Sequence, residues 1–332
     1  VTENTAPRPP TSVDVARAAG VSQATVSYVL NDNPNARVSE ETRQRVRDAA
    51  ARLGYVPDAS ARTLRTGRSG IVLVPLSPAR TGGLVRDLLD DMGEELRPRG
   101  YTLVQYGERH LKGVAAAKVW AALRPSAIIV EADRLTRASV DLLRASGTHT
   151  VIGFADAPSP LVPTVVMDHE AVGACAARHL LERGRRRLAA VVPREEVVDA
   201  MGLGRLRGVR QVAPEAERID LAFTEEAART VATRGDLPDG VFAYNDEYAL
   251  LLMSALQDAG IRVPEDVAIV GADDLLLASL VRPRLTSVHF DTTATPAGMA
   301  AYIDAVVRGE RAAEPGSVLS RYGPRLVVRS SS

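Results

Sequence analysis

The side chains with most chemical potential in this chain are small, polar and crowded into one short stretch. Residues 22–28 read SQATVSY. If they form a helix, Val26 and Val29 turn inward and Ser22, Gln23, Ala24, Thr25, Ser27 and Tyr28 stay outside. So slim a face lets a helix lie close to phosphates, which its N-terminal amides also attract. The Gln23 amide can pair bidentately with an adenine edge, and the Ala24 methyl can touch a thymine methyl. No comparable set exists for bond-making chemistry. The five histidines (His110, His149, His169, His179 and His289) never fall at metal-ligand spacing. Cys175, the only cysteine, sits in an Ala-rich stretch as a small packed residue. Residues 201–208, MGLGRLRG, lack the third glycine of a dinucleotide loop at the proper spacing and do not directly follow a strand. Asp90, Asp91, Glu94 and Glu95 read as a solvated helix face. The expectation is a chain with no catalytic residue, no metal and no cofactor, and not an enzyme.

A reading helix needs others to hold it. Thr11 and Asp14 have the spacing of a capping box, and the helix they open runs to about Ala19 and stops at Gly20. Ser22 caps the next helix, with Val15, Val21, Val26 and Val29 between the two. Asn31-Asp32-Asn33-Pro34-Asn35 breaks it. Ser39 caps a third helix whose apolar face is Val46, Ala49, Ala50 and Leu53, ended by Gly54. This is a helix-turn-helix pattern. Pro57-Asp58 then opens a very short helical stretch, 59–65, before the flexible run TGRSG. The net charge of zero hides a mild asymmetry: residues 1–68 carry +3 and the remainder −3. All but two of the 41 cations are arginine, which GC-rich codon usage explains.

Beyond residue 70 the pattern changes. Continuous apolar runs at 71–74, 101–104, 127–130, 151–154, 188–192, 241–243 and 267–270 read as buried parallel strands. Helical segments near 85–99, 136–146, 171–183 and 246–259 lie between them, each followed by Gly. Strand–helix alternation over so long a span implies a doubly wound α/β sheet, which binds ligands in a crevice at the carboxyl ends of its strands. The 332 residues, 45% apolar and 25% charged, can build sizeable soluble cores. No apolar run is long enough to span a membrane, and residues 1–10 form a polar, Pro-rich arm with no apolar segment of a signal peptide. With a lone cysteine, this points to the cytoplasm and no membrane partner.

Residues 11–31, TSVDVARAAGVSQATVSYVLN, resemble the opening of the lactose repressor-type (LacI/GalR) bacterial transcription regulators nearly residue for residue. The similarity continues in order through VSEETR (38–43), LGYVP (53–57) and ARTLR (61–65). It reappears as Asp168, Gly173, His179-Leu180, residues 205–208, Phe223, Asn245-Asp246, VPEDV (263–267), GADD (271–274) and residues 283–288. The resemblance implies a small all-α helix-turn-helix headpiece plus an α/β periplasmic-binding-protein-like core of two doubly wound lobes. It implies a dimeric repressor on a pseudo-palindromic DNA operator, controlled by a sugar-like small-molecule effector in the inter-lobe cleft. Carried over, the DNA-binding residues are Thr11, Ser22, Gln23, Ala24, Thr25, Ser27, Tyr28 and Asn31. Ala61, Leu64 and Arg65 belong to a hinge helix, with Leu64 wedged into the minor groove. The effector residues are Asp168, Arg205, Phe223, Asn245 and Asp273, with Arg205 and Asp273 held apart across the cleft to grip hydroxyls or a planar heterocycle. The implied organisation is an arm (1–10), a headpiece (11–56), a hinge helix and linker (57–68), and an effector and dimerisation domain (69–332). Lobe 1 takes about 69–163 and 291–315, lobe 2 about 164–290 and 316–329.

Three features depart from the family pattern. Gly82-Gly83-Leu84-Val85 stands where the family carries effector-contacting aromatics, and total aromatic content is only 4%. The stretch 212–221 is short. After Val327-Val328-Arg329 come only three serines, so no tetramerising heptads are expected. The competing readings are a DNA-bound regulator with a vestigial pocket and a protein partner, and a ligand-binding protein or enzyme with an incidental headpiece.

Overall fold

The computed structural model describes residues 8–30, 37–56, 69–77, 83–195, 198–292 and 295–332. The chain divides into two compact units, Val1–Ser69 and Gly70–Ser332. The first is built on α1 (Ser12–Ala19), α2 (Gln23–Leu30) and α3 (Glu40–Leu53). Its boundaries follow from local chemistry. Thr11 and Asp14 close the capping box, Gly20 ends α1 at φ 68°, and Ser39 caps α3, which Gly54 terminates. Val15, Ala19, Val26, Val29, Val46, Ala49 and Ala50 are buried together between the helices. Leu53 is the exception: it is 37% exposed and does not join the apolar face expected of α3. It lies in the last turn of α3, just before the Gly54 cap. The arm over residues 1–7, the break at 31–36 and the hinge stretch 57–68 lie outside the described residues.

In the second unit the strands are β1 (Ile71–Pro75), β2 (Thr102–Tyr106), β3 (Ala127–Glu131), β4 (Thr150–Ala155), β5 (Thr164–Met167), β6 (Leu188–Pro193), β7 (Glu217–Leu221), β8 (Gly240–Phe242), β9 (Ala268–Ala272), β10 (Thr286–Thr292) and β11 (Val318–Val327). The helices are α4 (Gly83–Leu96), α5 (Gly113–Ala121), α6 (Arg137–Ala145), α7 (His169–Glu182), α8 (Asp199–Val212), α9 (Glu225–Ala232), α10 (Asp246–Asp258), α11 (Leu276–Leu280) and α12 (Pro296–Arg308). The sheet runs β2-β1-β3-β4-β5-β11-β10-β9-β8-β6-β7. Every pairing is parallel except β10 with β11. β5 lies just past the lobe division drawn at 163; it pairs with β4 on one side and β11 on the other, and β11 pairs with β10. These three strands join the two halves of the sheet. β2 is not buried as its apolar run suggests: it forms the outer edge, with Thr102 and Gln105 exposed. Ser331, which the sequence leaves as a plain terminus, is buried beside β9, where its hydroxyl donates to the Ile269 carbonyl (2.7 Å) and accepts from Thr286 N (2.9 Å).

The glycines of MGLGRLRG are packing devices. An added Cβ on Gly208 would stand 1.8 Å from the Glu170 carbonyl oxygen, and one on Gly173 would stand 1.9 Å from that of Arg205. In each case the obstacle is rigid helical backbone, so α7 and α8 can touch only because both positions lack a side chain. Gly173→Ala should therefore force the helices apart and destabilise the core by about 1–3 kcal/mol. Urea unfolding of the variant against the wild type measures this; an unchanged midpoint would contradict the close approach.

Candidate nucleic-acid interface and effector cleft

The face expected of α2 is formed. Ser22, Gln23, Ala24 and Tyr28 are exposed, Thr25 and Ser27 are half-buried, and Val26 and Val29 are inside. The Ser22 hydroxyl accepts from the Thr25 amide (3.1 Å) and bonds the Thr25 hydroxyl (2.9 Å), which fixes the first turn. The Gln23 amide Nε2 donates to the Ser12 hydroxyl across the turn (2.8 Å). Thr11 is committed to its cap: its hydroxyl donates to Asp14 Oδ2 (2.6 Å), and that bond holds the Asp14 carboxyl below its ordinary range. Asn31, Ala61, Leu64 and Arg65 lie outside the described residues.

In the second unit Arg205 is the centre. It is buried on α8, not solvated, and its guanidinium donates to the Tyr244 carbonyl and, through Nε, to His169 Nδ1 (3.3 Å). The rings of Tyr244 and Phe290 flank it at 4.6 and 5.5 Å. Asp273 Oδ1 lies 3.8 Å away, so the two charges are paired within one cluster and not held apart across a cleft. The cause is backbone: Asp273 follows β9 at φ 101°, a left-handed conformation unusual for aspartate, which turns its carboxylate toward α8. Burial raises the Asp273 carboxyl to about 6 against the pull of Arg205. Asn245 caps α10 by accepting from Tyr248 N (3.0 Å) and also hydrogen-bonds Asp273. Arg205, Asn245 and Asp273 therefore stand together.

Asp168 and Phe223 are further out. Asp168 caps α7, accepting from Ala171 N (2.9 Å), and so presents the neighbouring His169 to Arg205. Phe223, 44% exposed, reaches the cluster through a chain of rings: Phe223 to Tyr248 at 5.0 Å, and Tyr248 to Tyr244 at 5.5 Å. Glu195 sets that chain by accepting from the Tyr248 hydroxyl (2.5 Å) and the Phe223 amide (2.9 Å).

Sequence reasoning missed His169, Asp156, Glu195, Tyr244, Tyr248, Asp246 and Phe290. The nearest signal was position, since Tyr244 and Tyr248 flank the Asn245-Asp246 pair. Burial, then the Arg205 charge, drive His169 down to about 3, so its ring is neutral. Accepting at Nδ1, it carries its proton on Nε2, 3.6 Å from Asp156 in the segment after β4. Burial raises the Asp156 carboxyl, against the Arg207 charge. Asp246 is wholly buried beneath the cluster, where it accepts from Ser287 Oγ (2.6 Å) and Leu275 N (2.7 Å).

A helix-turn-helix unit followed by a two-lobed α/β unit with a charged and aromatic cluster defines a DNA-binding transcriptional regulator of the periplasmic-binding-protein-like class. Residues 12–58 match the bacterial regulatory proteins of the lacI family, and residues 177–332 match the periplasmic binding protein-like domain. The chain is 32% identical over 295 residues to the HTH-type transcriptional repressor PurR of Vibrio cholerae, covering 83% of this chain and 85% of that one. It is 31% identical over 316 residues to the HTH-type transcriptional regulator GntR of Pseudomonas aeruginosa, covering 91% and 90%. It therefore belongs to the lacI family of bacterial regulatory proteins. Among solved structures, the transcriptional regulator CelR in its cellobiose complex superposes with a TM-score of 0.64 at 27% identity, over 97% of this chain and 100% of that one. The Lac repressor bound to ONPG shares the fold, with a TM-score of 0.76 at 24% identity over 98% and 100%. Among the described residues, no helix is long and apolar enough to cross a membrane.

Proposed function

We propose that the chain is a cytoplasmic repressor that binds a pseudo-palindromic operator as a homodimer under the control of an uncharged, sugar-like effector, without catalysing a reaction. The carrying observation is the union in one chain of a small, polar, exposed α2 face with the buried Arg205 cluster. Gln23 and Ala24 read base edges, with Tyr28 a further reader, while Thr11, Ser22, Thr25, Ser27 and Asn31 position the headpiece (11–56) on the backbone. Ala61, Leu64 and Arg65, in the hinge and linker (57–68), enter the minor groove. Residues 69–332 bind effector and dimerise. Leu276, Leu277 and Leu280 support a second copy as partner, for these α11 leucines are 77%, 54% and 59% exposed.

The effector class follows from the lining. Asp273 beside Arg205, and Asp156 with Asp168 near it, make this region acidic, which repels an anion but bonds hydroxyls well. The Phe223–Tyr248 platform offers a face for a sugar ring, and CelR, as named, carries cellobiose. Bound ligand favours one arrangement of the lobes and so decides whether residues 59–65 of two copies can fold together on DNA. Selection of bound fragments from a random DNA pool, with and without a metabolite extract, tests this. The expected result is a two-fold-symmetric motif whose recovery changes with extract. A motif without two-fold symmetry would overturn the dimeric reading, and recovery indifferent to extract would overturn effector control.

A further inference from the structure

Gln23 is the longest polar side chain at the start of the exposed α2 face, and a glutamine at such a site would ordinarily sample many rotamers. Here one of its hydrogens is already spoken for: Nε2 donates to Ser12 Oγ at 2.8 Å, from α2 across the turn to the first residue of α1. We propose that Ser12 is a specificity-determining positioning residue, holding the Gln23 amide in the one orientation that reads adenine. This rests on the reading of Gln23 as a base reader.

The chemistry is a matter of counting. A carboxamide nitrogen carries two hydrogens, one beside the carbonyl oxygen and one on the far side. The adenine edge needs one N–H to meet N7 and the carbonyl oxygen to meet N6–H, which uses the near hydrogen and Oε1 together. Ser12 can take the far hydrogen without competing for that edge. Ser12 is itself well placed to be rigid. It follows Thr11, whose capping box with Asp14 fixes the start of α1, and α1 packs through its buried Val15 with Val26 and Val46. Holding Gln23 from a fixed point lowers the rotamer entropy lost on binding. It also penalises bases that would require the amide to turn over.

Full-length wild type, Ser12→Ala, Ser12→Thr and Gln23→Ala are each taken through selection from a random DNA pool. Affinity for a non-specific duplex is measured alongside. Gln23→Ala should erase the adenine preference at one base pair of each half-site. Ser12→Ala should relax the preference at that same pair by roughly threefold or more, the size of one neutral hydrogen bond. It should leave other positions and the non-specific affinity unchanged. Ser12→Thr retains the hydroxyl and should restore the wild-type preference. If Gln23→Ala relaxes a position that Ser12→Ala leaves intact, Ser12 does not position Gln23 and the proposal fails while the base-reading role stands. If Gln23→Ala changes no position, the base-reading role falls, and this proposal with it.

Discussion

Arg205→Leu should abolish small-molecule control of DNA binding and lower the stability of the core by about 3–5 kcal/mol. The loss of stability comes from what the substitution strands. Asp273 would lose its only close cation among the described residues, the Tyr244 carbonyl its guanidinium donor, and His169 its partner at Nδ1. Leucine fills the slot between the Tyr244 and Phe290 rings but answers none of these groups. The headpiece has its own core of valines and alanines, so operator contacts made by α2 should survive. Arg205→Lys separates charge from shape: it keeps a cation near Asp273 but cannot donate to Tyr244 and His169 at once. It should retain more stability than the leucine variant while still failing to respond to effector. Urea unfolding and operator binding with and without metabolite extract read the two effects. A lysine variant that responded like the wild type would show that the forked donor geometry is not what the effector uses.

What was legible in the sequence follows the range of the interactions. The headpiece elements are set by contacts three or four residues apart: Thr11 with Asp14, Ser22 with Thr25, Ser39 with Thr42. Spacing alone finds them. Leu53 misled because a helix pattern does not say where the partner surface ends. The buried strands β1, β3, β4, β6, β8 and β9 announce themselves as apolar runs, whereas β7 alternates charge with apolar residues at an edge. β10 and β11, which join the halves of the sheet, carry His289, Asp291, Arg321 and Arg325 and contain Gly323 and Pro324. At the site, resemblance supplied Arg205, Asn245 and Asp273. It could not supply Phe290, His169 or Glu195, which meet them only through the fold. The scarcity of aromatics, and the lack of any at 82–85, point away from stacking. Yet two of the four phenylalanines and two of the eight tyrosines gather about Arg205 and its approach, so composition hid a local concentration.

Asp246 supplies the second large effect, and its sign can be worked out. Burial raises its carboxyl from 3.8 to about 7, against the bonds it receives from Ser287 and Leu275, with Asp273 and Asp274 adding repulsion. A carboxyl raised on folding binds its proton more tightly in the native state. Its contribution is therefore fully present below about pH 4 and lost as pH climbs through 7. For a rise from 3.8 to about 7 that amounts to roughly 4 kcal/mol. Asp273, raised to about 6, acts in the same direction. His169 acts oppositely: lowered to about 3, it costs the native state stability as pH falls from 6.5. The wild-type profile between pH 4 and 7 is thus a partial cancellation and would conceal all three. Asp246→Asn exposes one of them, because asparagine does not titrate in this range. Relative to the wild type, the variant should gain up to roughly 4 kcal/mol in standing between pH 4 and pH 8, whatever fixed offset its amide introduces at Leu275 and Ser287. Unfolding by urea at several pH values measures that difference. A gap independent of pH would mean that Asp246 stays charged throughout. Since Asp246 accepts from Leu275 N, in the segment that also carries Asp273, its protonation should reach effector binding through the Arg205–Asp273 pair. As pH falls through 6 Asp273 takes up a proton of its own, so its pair with Arg205 should weaken there.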